Sequence, residues 1–224
     1  MNDAAARQSV VILISGRGSN MLALIEQSRR AGSGYSVGAV FSDRADAAGL
    51  AAARALNVAA TALPFRKGSD RDAYDRELAA AIREHEPSLV VLAGFMRILS
   101  AQFVDAFAGK IMNIHPSLLP KYPGLHTHRR VLEAKDAEHG ATVHFVTAQL
   151  DAGPAIVQGR VHVAPDDTES SLAARVQMRE HRIYPLAVRW FCEGRLRCAH
   201  GQAWLDGRML HEPLQYVEQE SALS

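Results

Sequence analysis

Along its first half the chain alternates short apolar runs with stretches of helical period. Ser9–Ser15 (SVVILIS) is largely apolar at odd and even positions alike, the pattern of a strand covered on both faces. Gly16-Arg17-Gly18-Ser19-Asn20 follows, then a helical pattern through Met21, Leu24 and Ile25. Val37–Phe41 predicts a second strand, Ala45–Ala55 a short alanine-rich helix and Val58–Leu63 a weaker third strand. Ser69–Glu86 sets Tyr74, Leu78, Ala81 and Ile82 on one helical face, with Ser69 as the expected cap. Leu89–Ala93 (LVVLA) is the strongest strand signal, again continuous rather than alternating. A helix near Ala101–Phe107 and a strand at Ile111–Ile114 come next.

The second half changes character. A loop with Pro116, Pro120, Pro123 and Gly124 precedes expected strands at Ala141–Val146 and Ile156–Val163. Thr168–Glu193 is a long helical pattern carried by Leu172, Val176, Ile183, Ala187 and Trp190. A kink is expected at Pro185, which lacks an N–H and crowds the carbonyl four residues back. Gly194–Leu205 suits a small hairpin and Gln215–Ser224 a frayed tail. Strands alternating with helices predict an α/β fold: a Rossmann-like, mostly parallel sheet flanked by helices on both faces. The chain is expected to be a single domain over 1–224, with a mononucleotide-binding half over 1–110, a second half over 111–210 and a tail over 211–224.

Composition narrows the function classes. The 224 residues carry 25 Lys+Arg against 24 Asp+Glu, a net charge of +1 that gives no electrostatic case for nucleic acid or an anionic membrane. The longest apolar runs are strand-sized, short of the ~20 residues a bilayer requires. Met1–Arg7 carries Asp3 and no apolar stretch of signal-peptide length, so a cytoplasmic protein is expected. Two cysteines, Cys192 and Cys198, cannot form a disulfide framework or a zinc knuckle.

The glycine loop Gly16-Arg17-Gly18-Ser19-Asn20 lies between a buried strand and a helix, where exposed N–H groups and the helix dipole favour an anion. Glycine permits positive φ there, and Ser19 or Asn20 can cap the helix. A tight turn that binds nothing has the same local pattern. A dinucleotide fingerprint fits less well, because Met21 stands where its third glycine belongs. Asp43, near the end of the second strand, keeps that reading open, although a mononucleotide-type phosphate fits better.

Asn113-Ile114-His115-Pro116 ends a buried strand. Residues two apart share a face, so Asn113 and His115 project together, beyond the carboxyl end of a strand where ligands of open α/β sheets bind. An amide donor beside an imidazole suits a developing oxyanion and a proton transfer; the bland alternative is a structural histidine. Asp151, in Gln149-Leu150-Asp151-Ala152-Gly153-Pro154, is either a turn former or a carboxylate that reaches His115 and favours its imidazolium. His126, His128 and His139 share a region, but no accompanying ligand pattern supports a metal, and none is expected. Leu119–Pro120, in a Pro-rich loop beside this strand end, is a candidate cis bond.

Four segments together are specific. Ser15 to Asn20, Leu92-Ala93-Gly94-Phe95-Met96-Arg97-Ile98-Leu99-Ser100, Asn113-Ile114-His115-Pro116-Ser117-Leu118-Leu119-Pro120 and Leu150-Asp151-Ala152-Gly153-Pro154 occur in the order seen in the phosphoribosylglycinamide formyltransferases, which the chain resembles from about Val10 to Leu210. The resemblance implies transfer of a formyl group from 10-formyltetrahydrofolate to the amine of glycinamide ribonucleotide in purine synthesis. It implies no bound cofactor, the folate being a cosubstrate. Gly16, Arg17, Gly18, Ser19 and Asn20 would hold the substrate phosphate and Glu180 its ribose. Met96, Arg97, Ile98, Leu99, Asn113 and Arg71 would line the folate side, and Asn113, His115 and Asp151 match the catalytic trio. Arg17 and Arg182 are the mild departures.

That chemistry suits the residues. An aliphatic α-amine titrates near 7.7–8.0, so part of it is already nucleophilic at neutral pH and no covalent intermediate is needed. The demanding steps are charging the formyl oxygen and expelling a poor amine leaving group. Sibling readings remain. A methionyl-tRNA formyltransferase is expected to carry a further C-terminal RNA-binding domain, and a formyltetrahydrofolate deformylase an N-terminal regulatory one. A non-catalytic mononucleotide-binding module would bind without turnover. Small-molecule partners are expected, with the oligomeric state left between monomer and weak dimer.

Overall fold

A computed structural model describes residues 7–66 and 68–217 of the chain. Its centre is an eight-stranded sheet. The strands are β1 (Gln8–Ile14), β2 (Tyr35–Ser42), β3 (Ala60–Ala62), β4 (Leu89–Leu92), β5 (Ile111–His115), β6 (Glu138–Phe145), β7 (Ala155–His162) and the short edge strand Leu214–Gln215. The spatial order runs Leu214–Gln215, β7, β6, β5, β4, β1, β2, β3. From β3 to β5 every neighbouring pair is parallel; β6 is antiparallel to both β5 and β7. The fold is α/β with a mostly parallel sheet, as the alternation of elements predicts.

The doubly apolar strands are explained by two hydrophobic layers. Val10, Ile12, Ile14, Val91 and Ile114 face one layer, whereas Val11, Leu13, Val90, Leu92 and Ile111 face the other. The first layer is covered by α1 (Ser19–Ser28), α2 (Ala48–Ala55), α5 (Thr127–Ala134) and α6 (Glu169–Cys192), the second by α3 (Arg71–Arg83) and α4 (Ala101–Ala106). Full burial of a Val, Leu or Ile is worth about 1.5–3 kcal/mol. A polar substitution anywhere in 10–14 is therefore costly, whichever face its side chain takes. Tyr184, fully buried on α6, donates its hydroxyl proton between the carbonyls of Leu92 and Met112, each 3.0 Å away, and so ties the ends of β4 and β5 to the helix.

Several sequence expectations are corrected. The cap of α3 is Asp70, whose Oδ1 accepts the N–H groups of Asp72 and Ala73, in place of Ser69. α1 has Gly18 at its N-cap with no side-chain cap, rather than Ser19 or Asn20. α5 was not anticipated: only Thr127 and Val131 are buried on it, and His126 at its N-cap is left-handed with no capping side chain. Gln215 lies in the edge strand beside β7 rather than in a frayed tail; 218–224 fall outside the described residues. As the sequence places it, Pro185 lies inside α6, which runs on through it. The expected hairpin is a small three-stranded sheet of Leu196–Ala199, Gln202–Leu205 and Arg208–Met209. The bond Leu119–Pro120 is cis, as expected.

Candidate active site

Three loops rise from the carboxyl ends of the adjacent strands β1, β4 and β5, where an open α/β sheet binds ligands. After β1, Gly18 takes φ +73°, a left-handed conformation suited to glycine, and lets the chain turn into α1. With no side-chain cap, the first N–H groups of α1 remain open to an anion. Arg17 is exposed, and Ser19 Oγ accepts a hydrogen bond from Gln177 Nε2 at 2.8 Å. Asn20 is buried and donates through Nδ2 to Glu180 Oε2 at 2.7 Å. The loop and Glu180 are thus brought together across 160 residues. Burial raises the carboxyl of Glu180 above its ordinary range. Asn20 Oδ1 has no protein partner, which suits a hydroxyl-bearing ligand.

Asp43, which kept a dinucleotide reading open, accepts the Ser15 hydroxyl at 2.6 Å. Ser15 Oγ in turn accepts the N–H of Met96 at 2.8 Å. The end of β1 is therefore bonded directly to the segment after β4.

On β5, Ile114 packs into the α1/α6 layer, so Asn113 and His115 project to the opposite face. His144 on β6 stands directly across from Asn113. Its Nδ1 lies 2.9 Å from the Phe145 carbonyl, and its Nε2 lies 3.2 Å from Asn113 Nδ2. A carbonyl only accepts, so Nδ1 carries the proton, Nε2 is the acceptor and the Asn113 amide must present its NH2 group. One of the two amide hydrogens is used on His144; the other is available to a ligand. His144 is the functional side chain that sequence reasoning passed over. Its one signal is a polar residue inside the apolar run Val143-His144-Phe145.

His115 is 6% exposed. Its Nε2 donates to the Tyr122 carbonyl at 2.9 Å, and Nδ1 lies 3.5 Å from Asp151 Oδ2. Both ring nitrogens face acceptors, so the doubly protonated ring is the form that satisfies both contacts. Asp151 is fixed by the Gly124 N–H, which donates to Oδ2 at 2.8 Å. Behind it, a Cβ at Gly153 would stand 1.8 Å from the Phe145 carbonyl oxygen, so only glycine lets this turn close against β6. The loop after His115 is set by a buried network. Thr142 Oγ1 donates to the Ser117 carbonyl and accepts the Leu119 N–H, while Gln158 Nε2 donates to the Leu119 carbonyl.

The trio opens onto a cleft of about 470 Å³ walled on one side by 94–99 and on the other by residues near Leu125 and Leu150. Met96 and Ile98 are 69% and 55% exposed at its rim, while Leu99 is buried. The Arg97 guanidinium carbon lies 3.4 Å from the Phe65 ring centroid and 4.8 Å from that of Tyr74. Arg71 stands outside the cleft lining, its guanidinium donating to the Ile98 carbonyl. His128 and His139 bind each other, Nδ1 to Nε2 at 2.9 Å, and no group of three potential metal ligands occurs among the described residues.

Burial pushes His144 down to about 4. The unfolded chain takes up that proton from about pH 6.5 downward, whereas the folded protein resists it until about 4. The stability tied to this group is therefore full above about 6.5 and falls on acidification through that window, by on the order of 3 kcal/mol. His139, also pushed to about 4 by burial, acts in the same direction. Thermal midpoints recorded from pH 7 to 4 should fall more steeply for the native protein than for a His144→Asn variant. Parallel curves would show that His144 carries no such linkage.

The fold is that of the formyl transferases, as the likeness to known proteins shows. The formyl transferase profile matches residues 8–188, and the chain belongs to that family. It is 53% identical over 202 residues to the phosphoribosylglycinamide formyltransferase of Escherichia coli, covering 90% of this chain and 95% of that one. The enzyme of the same name from Haemophilus influenzae is 40% identical over 203 residues, covering 91% and 96%. The solved phosphoribosylglycinamide formyltransferase of Coxiella burnetii superposes with a TM-score of 0.90 at 42% identity, over 94% of this chain and all of the other.

Proposed function

We infer that this chain transfers a formyl group from 10-formyltetrahydrofolate to the amine of glycinamide ribonucleotide, a step of purine synthesis. The observation that carries the reading is one amide donor and one imidazole on the same face of β5, backed by a carboxylate 3.5 Å from the ring, at the floor of a cleft with apolar walls. Such a cleft suits a flat ring system held by a few polar groups. The trio suits direct attack by a neutral amine through a tetrahedral intermediate. Asn113 donates its free N–H to the developing oxyanion; His115, with its Nε2–H turned from the Tyr122 carbonyl toward the substrate, supplies the leaving-group proton directly or through water and takes back the proton that the attacking amine loses. Asp151, 3.5 Å from Nδ1, orients the ring with its carboxylate. Gly16 to Asn20 hold the phosphate, Glu180 the ribose, and Met96, Arg97, Ile98 and Leu99, with Arg71 behind them, the folate side.

The reading expects a cytoplasmic enzyme acting on small molecules; among the described residues no helix is long and apolar enough to cross a membrane. A formyl-transfer assay with glycinamide ribonucleotide present and absent decides it. Folate turnover only when the ribonucleotide is present supports the transferase. Equal turnover without it indicates a deformylase-like hydrolase, and binding without turnover a nucleotide-binding module. Gly18→Val, which strains a positive φ and meets Met21 at 3.1 Å, should raise the KM for the ribonucleotide by about tenfold or more while the folate KM changes little. Equal damage to both constants would count against the phosphate assignment.

A further inference from the structure

The wall of the cleft at 94–99 is held from behind by α3. Asp75 on that helix is 2% exposed, and its Oδ2 accepts the backbone N–H of Ser100 at 2.6 Å. Ser100 is where the wall ends and α4 begins, its own Oγ accepting the Phe103 N–H. One turn earlier on α3, Arg71 donates to the Ile98 carbonyl, and Tyr74, next to Asp75, lies against the Arg97 guanidinium. Positions 71, 74 and 75 share one helical face, so a single rigid element grips residues 97, 98 and 100 of the wall. At the other end the wall is tied to β1 through the Ser15–Met96 and Ser15–Gly94 bonds. Between these ties Met96 and Ile98 are mostly exposed, so their placement depends on where the backbone is pinned rather than on side-chain packing.

We propose that Asp75 is a positioning residue for the folate wall, setting affinity for the formyl donor without touching it. The inference rests on reading the cleft as the folate site. Losing one buried hydrogen bond that orders the wall should cost roughly tenfold in affinity.

The test compares native protein with Asp75→Ala and Asp75→Asn, the latter keeping an acceptor oxygen for Ser100. KM for 10-formyltetrahydrofolate and for glycinamide ribonucleotide are measured beside amide hydrogen exchange of the ligand-free proteins. The expected result is a folate KM about tenfold higher in Asp75→Ala, a ribonucleotide KM nearly unchanged and faster exchange over 96–100, with Asp75→Asn restoring most of each. If the alanine variant does not fold, Asp75→Ser, too short to reach the Ser100 N–H, is judged by the same criteria. An unchanged folate KM, or equal loss for both substrates, overturns the positioning role. A native protein that neither binds nor uses the folate overturns the functional reading, and this inference with it; the exchange data tell the two failures apart by reporting the Ser100 tie without ligand.

Discussion

Replacing His115 with alanine should lower kcat by on the order of 10²–10⁴-fold, the usual cost of a lost acid–base group, with much smaller changes in either KM. The expectation follows from the ring's surroundings. His115 is buried, its Nε2 lies 2.9 Å from the Tyr122 carbonyl and its Nδ1 faces Asp151, so the protein holds an oriented imidazole at the floor of the cleft. Asp151→Asn should cost less, because it leaves the ring in place and removes only the carboxylate that faces Nδ1. The double variant should cost far less than the product of the two single losses, since both act through one imidazole. Single-turnover rates of the four proteins check this. Multiplicative losses would show that Asp151 acts elsewhere, and a near-full rate in His115→Ala would remove the trio from the chemistry.

The second large effect is expected at Asn113. Asn113→Ala removes a pre-set donor to the oxyanion and should lower kcat about 10²–10³-fold. The orientation of that donor is enforced by His144, whose Nε2 can accept only from the NH2 side of the amide. His144→Leu should therefore also reduce kcat, by less than the Asn113 change, because the amide then turns more freely. Combining it with Asn113→Ala should add almost nothing. An additive double variant would separate the two residues. Full activity in Asn113→Ala would move the oxyanion contact elsewhere.

Much of this molecule is legible in one dimension because its patterns are local. Val10–Ile14 is apolar at both parities, which only a central strand between two helical layers satisfies, and it lies there with both faces buried. Asn113 and His115 are two residues apart on a strand, so their common face is fixed by the pleat, and the glycines at 16 and 18 mark a strand-to-helix turn whatever the remainder of the chain does. The resemblance carried by four short segments was enough to place the chain among the formyltransferases.

Other features depend on which strands become neighbours, and no local period encodes that. His144 is an isolated polar residue in an apolar run until β6 pairs antiparallel with β5 and sets it opposite Asn113. Glu180 meets Asn20 only because α6 packs beside α1 on the same face of the sheet. α5 is amphipathic, but over only eight residues and with no capping side chain to mark its start, so its pattern is easily passed over in a Pro-rich stretch; it packs against α6. The edge strand Leu214–Gln215 is too short to carry a pattern, and β7 supplies its partner. Asp75 has the sequence profile of any helical surface carboxylate, until α4 is laid against α3 and its side chain accepts the Ser100 N–H. Sequence periodicity determined most of the strands and helices and which of their residues share a face. The packing of those faces decided which side chains met, because such meetings follow from strand order and layer contacts between residues far apart in the chain.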